Sequence, residues 1–267
     1  MNTVLLPTLF CGLVVALSLF WLGFIVARRL DNFGIADIVW AILFPALVLL
    51  YAFHLPGDPF RTSVFLILVL FWGGRLGIHL ARRIRHEHPR EDGRYHQLRH
   101  NWGPRFPLIM FGFFTAQAVS AWALAIPFTL ILANPDPGLG SWEIAGTLLW
   151  GIALAGEAAA DAQLRRFKNQ NDNQGLTCRS GLWNYSRHPN YFFQWLSWIA
   201  LFVFACGTPW GWIAFYAPLI MLYLLLRVTG IPPTEAQALR SKGDAYRRYQ
   251  QTTNAFFPGP RRLSSGG

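Results

Sequence analysis

The sequence predicts an all-α integral membrane protein of seven transmembrane helices, one domain over residues 1–267, with its amino terminus outside and its carboxyl terminus cytoplasmic. Three observations predict it. The 267 residues are 53% hydrophobic and 16% aromatic but only 13% charged, against roughly 45–50% apolar and about 25% charged in an ordinary soluble domain. Seven stretches approach the ~20 apolar residues that cross a bilayer core. Lys and Arg lie almost wholly on one side of those stretches. The composition argues against a soluble enzyme, and it excludes disorder: 12 Trp, 22 Phe and a mean hydropathy of +0.30 supply more apolar surface than a chain leaves in water.

The expected spans are 3–27, 34–53, 62–80, 106–133, 142–164, 191–206 and 209–226. No Lys or Arg precedes the first, unlike a signal peptide. The sixth is short, and Cys206-Gly207-Thr208-Pro209 makes it a tight hairpin with the seventh. With the amino terminus outside, the segments after spans one, three, five and seven carry 21 of the 23 Lys and Arg residues; only Arg61 lies opposite, and Arg75 lies within span three. Cytoplasmic segments are enriched in these residues, which sets the orientation. The net charge of +10 is thereby explained without a nucleic acid partner. Orientation and contact with membrane lipid account only for the side on which the cations lie: between spans three and four and between five and six Arg is mixed with His, Asn, Asp, Gln and Tyr, residues that make directional contacts. Three widely spaced cysteines, Cys11, Cys178 and Cys206, suggest neither a disulfide framework nor a zinc site.

Beyond span seven, in the cytoplasmic tail 227–267, Gly230-Ile231-Pro232-Pro233 breaks the helix, and Thr234-x-x-Gln237 reads as a capping box opening another. Ala236, Leu239, Tyr246 and Tyr249 recur at near-helical spacing opposite Arg240, Lys242, Arg247 and Arg248, as in a helix lying at the membrane interface. Residues 261–267 read as disordered.

Ionisable groups within spans are costly and are candidates for function. Five stand out: Asp37, Arg75, His79, Glu157 and Asp161. Glu157, Asp161, Arg165 and Lys168 fall on one helical stripe running toward the cytoplasm. Carboxylates deep and cations shallow suit a ligand with hydroxyls and phosphates. Arg75, His79 and Arg82 form a second stripe, and Asp37 is placed to pair with Arg75. His86-x-His88 and His96-x3-His100 lack a second histidine box, so no metal site is expected. Gly138-Leu139-Gly140 lacks the third glycine of a dinucleotide fingerprint, so any nucleotide is expected in a pocket of the helical bundle.

Asp37-Ile-Val-Trp40, Trp72-Gly-Gly-Arg75-Leu, Glu91-Asp-Gly-Arg94-Tyr95, Ser186-Arg-His-Pro-Asn-Tyr191 and Gly230-Ile-Pro-Pro-Thr-Glu235, in this order, resemble the bacterial branch of the steroid 5α-reductase superfamily. The resemblance covers nearly the whole chain. It implies a seven-span reductase of the bacterial inner membrane that binds NADPH from the cytoplasm and transfers hydride to the β-carbon of a lipophilic conjugated enone. Asp161-x-x-Leu-Arg165 is similar to a family motif that implies Asp161 at the cofactor and Arg165 or Lys168 near its phosphates. The segment Gly181-Leu-Trp-x-Tyr185, continuing through Arg187 and His188 to Asn190 and Tyr191, resembles one whose Asn contacts the cofactor. Arg94 and Tyr95 match the loop that closes over it, Arg227 resembles a phosphate contact, and Glu235 is the acidic residue after the last span.

The chemistry gives these residue types independent reasons. Arg accommodates the 2′-phosphate that distinguishes NADPH, and Glu157 or Asp161 accepts hydrogen bonds from ribose hydroxyls. The protein must align the alkene, exclude water and polarise the carbonyl as enolate charge develops. The family's animal members place a Tyr where this chain has Trp72 and a Glu near Asp37. An indole N–H donates a hydrogen bond but is no acid. Asp37, held protonated by burial, is therefore the expected acid, with Tyr51 and Tyr95 in reserve. The alternative is an S-adenosylmethionine-dependent membrane methyltransferase of the isoprenylcysteine or phospholipid type, which shares Arg187-His-Pro-x-Tyr191; a third is a non-enzymatic lipid-binding scaffold.

Overall fold

The computed structural model describes residues 2–87, 93–173 and 175–261. Ten α-helices order these residues: α1 (Asn2–Arg29), α2 (Ile35–His54), α3 (Pro59–Glu87), α4 (Gly93–Trp102), α5 (Phe106–Leu132), α6 (Ser141–Lys168), α7 (Pro189–Ala205), α8 (Tyr216–Tyr223), α9 (Ile231–Lys242) and α10 (Asp244–Thr252). Among the described residues there is no strand, only an isolated parallel bridge between Ser186 and Asn254.

Among the described residues, five helical stretches are long and apolar enough to cross a membrane: Val4–Arg29, Ile35–His54, Pro59–His86, Gln97–Leu132 and Gly211–Lys242. They contain or overlap the first four expected spans and the seventh. The fifth and sixth fall on α6 and α7, which are outside this set. α6 interrupts its apolar run with Glu143, Glu157 and Asp161, and α7 has only 17 residues.

The chain divides into two compact units, Met1–Ser141 with Ala205–Ile213, and Trp142–Phe204 with Ala214–Gly267. In the first, α1, α2, α3 and α5 pack as a bundle. Small residues let the helices approach, as membrane helices require. A Cβ on Gly73 would lie 2.5 Å from the Pro45 ring, and one on Gly12 would run into the Tyr51 hydroxyl. Phe24, Phe33, Phe106 and Phe114 interlock edge to face or tilted in the interior, while Leu6, Phe10, Phe53, Phe71 and Leu108 point outward. Arg61, the one cation on the far side of the charge count, is buried in a loop staple. Its Nη1 donates to the carbonyls of Asn134 (3.2 Å) and Asp136 (2.6 Å), and the Asp58 N–H donates to Asn134 at 2.9 Å.

In the second unit α6 and α7 touch through glycine. A Cβ on Gly146 would lie 2.6 Å from the backbone nitrogen of Phe204, and one on Gly156 would strike the Phe193 ring. After α8 the helix widens into a π turn at Leu224–Val228, with the Thr229 N–H donating to Leu224 at 2.8 Å.

Two expectations for the segment that follows are corrected. No capping box forms: α9 starts at Ile231, with Gly230 as its cap and no side-chain capping bond. Pro232 and Pro233 fit its first turn, where an N–H has no intrahelical partner to lose. The Thr234 hydroxyl instead meets the Tyr191 hydroxyl at 3.1 Å. Nor is there one interfacial helix. Gly243, at φ +53, separates α9 from α10, and Tyr246 and Tyr249 are buried in protein rather than turned to lipid. The expected disorder of 261–267 concerns residues that, except for Arg261, lie outside the described ones.

Candidate functional site

The polar end of α6 organises the second unit. Glu157 and Asp161 lie one turn apart on its buried face, 2% and 9% exposed, while Arg165 and Lys168 continue the stripe into the open. A loop is hung on this helix at three points. The Trp183 indole donates to the Ala160 carbonyl at 3.0 Å, the Leu182 N–H donates to Gln163 Oε1 at 2.9 Å, and Gly181, at φ +58, approaches the same Gln163 amide too closely for a Cβ. The loop then turns into α7, where Asn190 Nδ2 donates to Asp161 Oδ1 at 3.3 Å. Two motif residues 29 positions apart thus meet at a carboxylate. Tyr185 and Arg227 are exposed, Arg227 within the π turn.

Arg187, His188 and Glu235 are engaged with one another. Glu235 Oε1 accepts from Arg187 Nε at 2.7 Å and from His188 Nε2 at 3.2 Å, and Oε2 accepts from Gln250 Nε2 at 2.7 Å. Arg187 Nη1 donates to the carbonyls of Gln250 (3.0 Å) and Thr253 (2.5 Å), and its backbone N–H to Asn254 at 2.8 Å. Ser186 Oγ donates to Phe256 at 2.8 Å, the Gly259 N–H to Tyr185 at 3.1 Å, and the Tyr249 hydroxyl to Trp183 and Ser186. The strap 253–261 is therefore bound along 183–187, with Phe256 and Phe257 packed on Phe192 and Trp195. Tyr191 stacks on His188, centroids 5.4 Å apart. Burial, with the neighbouring Arg187, lowers the pKa of His188 from its ordinary value against the opposing pull of Glu235.

The first unit has its own polar cluster. Asp37 stands in the first turn of α2, where the helix dipole favours a carboxylate. It accepts from the hydroxyl of buried Tyr95 at 3.4 Å, and Arg83 Nη2 lies 3.9 Å from its other oxygen. Trp72 packs on Phe44 and Trp40, with centroids 5.4 and 6.1 Å away, and Tyr51 is fully buried with its hydroxyl over Gly12. Glu91 and Asp92 lie outside the described residues, and Arg94 is described only as a position in α4. Sequence reasoning missed Arg83, Gln163 and Gln250. Arg83 had a signal, two turns beyond Arg75 on the same helix, whereas the two glutamines carry none.

The match to a family model decides the affiliation. The model of a family described as "Protein of unknown function (DUF1295)" matches residues 23–253. The chain belongs to the DUF1295 family. That family is associated with the steroid 5α-reductase-like superfamily. No curated protein and no solved structure matches the chain. The DUF1295 match takes in Asp37, Tyr95, Asp161, Asn190 and the whole Arg187–Glu235 contact, and it ends where the strap begins.

Proposed function

We propose that this DUF1295 protein is a seven-span membrane reductase, amino terminus outside and carboxyl terminus cytoplasmic, that uses NADPH to reduce the C=C bond of a lipophilic conjugated enone. The observation that carries this reading is the Asp161–Asn190 contact, which joins two parts of the cofactor motif at a buried carboxylate, with Arg165 and Lys168 one and two turns on. These residues fit a dinucleotide: a carboxylate and an amide for ribose hydroxyls, an indole beside them at Trp183, and cations for phosphate. When bound, NADPH supplies the hydride. Asp161 and Asn190 would orient its ribose, Arg165 and Lys168 would hold its phosphates, and the Tyr95 hydroxyl, the donor in its contact with Asp37, would polarise the carbonyl.

A thermal-shift titration of detergent-purified protein with NADPH, NADH and S-adenosylmethionine tests this, because a ligand of the native state raises apparent stability by mass action. Stabilisation is expected with NADPH, less with NADH, and it weakens in Arg165→Ala and Asp161→Ala. A response to S-adenosylmethionine alone would establish the methyltransferase instead, a reading favoured by the Arg187–His188–Glu235 contact around the shared Arg-His-Pro-x-Tyr motif. Silence to all three ligands in folded protein would leave the scaffold. In the reductase, Asp37→Asn and Tyr95→Phe lower turnover of an enone by 10²-fold or more, in the range seen when one oxyanion donor is removed, without abolishing the NADPH shift.

A further inference from the structure

We infer that Arg99 and Asp31 are positioning residues: together they latch α4 to the turn between α1 and α2, and so hold the Tyr95 hydroxyl at Asp37. The turn itself points to this. Where α1 ends, the Asn32 N–H reaches back to the Ala27 carbonyl at 3.0 Å, and Asp31, just before it, takes φ +50. Left-handed backbone at a helix end ordinarily falls to glycine, which has no Cβ to strain. An aspartate keeps the place here, and its Oδ1 lies 2.8 Å from Arg99 Nη1. Asn32 Oδ1 then accepts from the Gly34 N–H at 3.1 Å, and the chain enters α2 with Asp37 in its first turn.

An exposed ion pair by itself holds little, and Asp31 is well exposed. What seats Arg99 is its aromatic surroundings. Its guanidinium lies over the Phe106 ring, 4.8 Å from the centroid, and over the Phe33 ring at 5.5 Å; these two buried rings meet edge to face at 4.9 Å. A cation over an aromatic face is attracted by the ring quadrupole, and the carboxylate of Asp31 fixes which way the planar fork points. Tyr95, Arg99 and Trp102 stand at i, i+4 and i+7 of α4, hence on one face. Trp102 tilts against Phe106 at 6.4 Å, and Tyr95 meets Phe113 edge to face at 6.5 Å while its hydroxyl donates to Asp37 at 3.4 Å. α4 has only ten residues, too few to be stable alone in water, so its place depends on these side-chain contacts. One helical turn separates the latch from the Tyr95 hydroxyl. The part that hydroxyl plays in turnover rests on the reductase reading; the latch does not.

The test uses the full chain in detergent, with a fluorotyrosine in place of Tyr95 read by fluorine NMR, and, with Tyr95 intact, turnover of a conjugated enone by NADPH. Asp31→Gly removes the carboxylate while easing the backbone, so its melting temperature is expected to hold or rise. A merely structural Asp31 would then leave both readouts unmoved. The latch instead moves the fluorine signal toward that of free fluorotyrosine in Asp31→Gly and in Arg99→Gln, and Asp31→Glu brings it back. In the first two variants kcat is expected to fall about tenfold with KM for NADPH held, inside the ~10²-fold that a 1 Å misplacement costs. An unmoved signal in both variants overturns the latch, and enone turnover that persists leaves the reductase standing without it. A moved signal with unchanged kcat overturns the positioning role. A moved signal in a chain that neither binds NADPH nor reduces an enone keeps the latch and sinks the reductase. Asp31→Gly decides the matter if Arg99→Gln does not fold.

Discussion

Arg187 is held on three sides in the second unit. Its guanidinium meets a carboxylate and two carbonyls, and its side chain and that of Glu235 are only 10% and 14% exposed. Removing one partner of a buried ion pair leaves the other uncompensated, at about 3–5 kcal/mol. Arg187→Ala is therefore expected to lower the unfolding free energy by about that amount, read from denaturant unfolding followed by Trp fluorescence, and Arg187→Ala/Glu235→Gln to recover part of it. At this scale the sequence was half legible. Asp161 and Asn190 were visible because their side chains carry the motif. The acceptors of Arg187 are mostly backbone carbonyls of Gln250 and Thr253, which any residue supplies and no residue type announces.

Among the elements, the α6–α7 contact and the α7 entrance make separate predictions. Gly146→Leu drives a side chain into the Phe204 backbone, an overpacking that costs typically 1–3 kcal/mol; a lower melting temperature and loss of the Asp161-dependent NADPH shift are expected together. Just ahead of α7, burial lowers the pKa of His188 from its ordinary 6.5. Between that lowered value and 6.5 the unfolded chain binds a proton that the folded chain refuses, so stability rises with pH there and falls as pH drops. Melting temperatures measured from about pH 7 down to about pH 5 should decline, and His188→Asn should flatten the slope; an unchanged slope would remove His188 as the cause. Helix positions were legible from hydropathy, but the α9 start was not. Thr234-x-x-Gln237 is a sound local signal, overridden because two prolines already suit the first turn and Tyr191 holds the threonine.

For the whole molecule, the seven-span reading predicts that α6 and α7 cross the membrane. Five spans and seven spans both return the carboxyl terminus to the side opposite the amino terminus, so a reporter fused there does not separate them. The segment 169–180 does. If α6 crosses, Asp172→Cys in a chain without its native cysteines is labelled only from the cytoplasm, while Trp212→Cys is labelled only from outside; labelling of both from outside would leave five spans. The Lys and Arg distribution predicts an orientation, which the same labelling tests. It did not reveal that α6 spends its polar residues on a loop and on α7, because hydropathy sums residues without knowing their partners.

The fastening of the strap also has a meaning in time. The ribosome releases Ser186 and Arg187 dozens of residues before the carbonyls of Gln250, Thr253 and Phe256 that satisfy them. Domains fold progressively as the chain emerges, so for that interval the Arg187 guanidinium and the Ser186 hydroxyl are left to water, without the partners that later take them up. A message truncated ahead of codon 253 would fix the nascent protein in that state, with the polar groups of 185–187 still open to solvent.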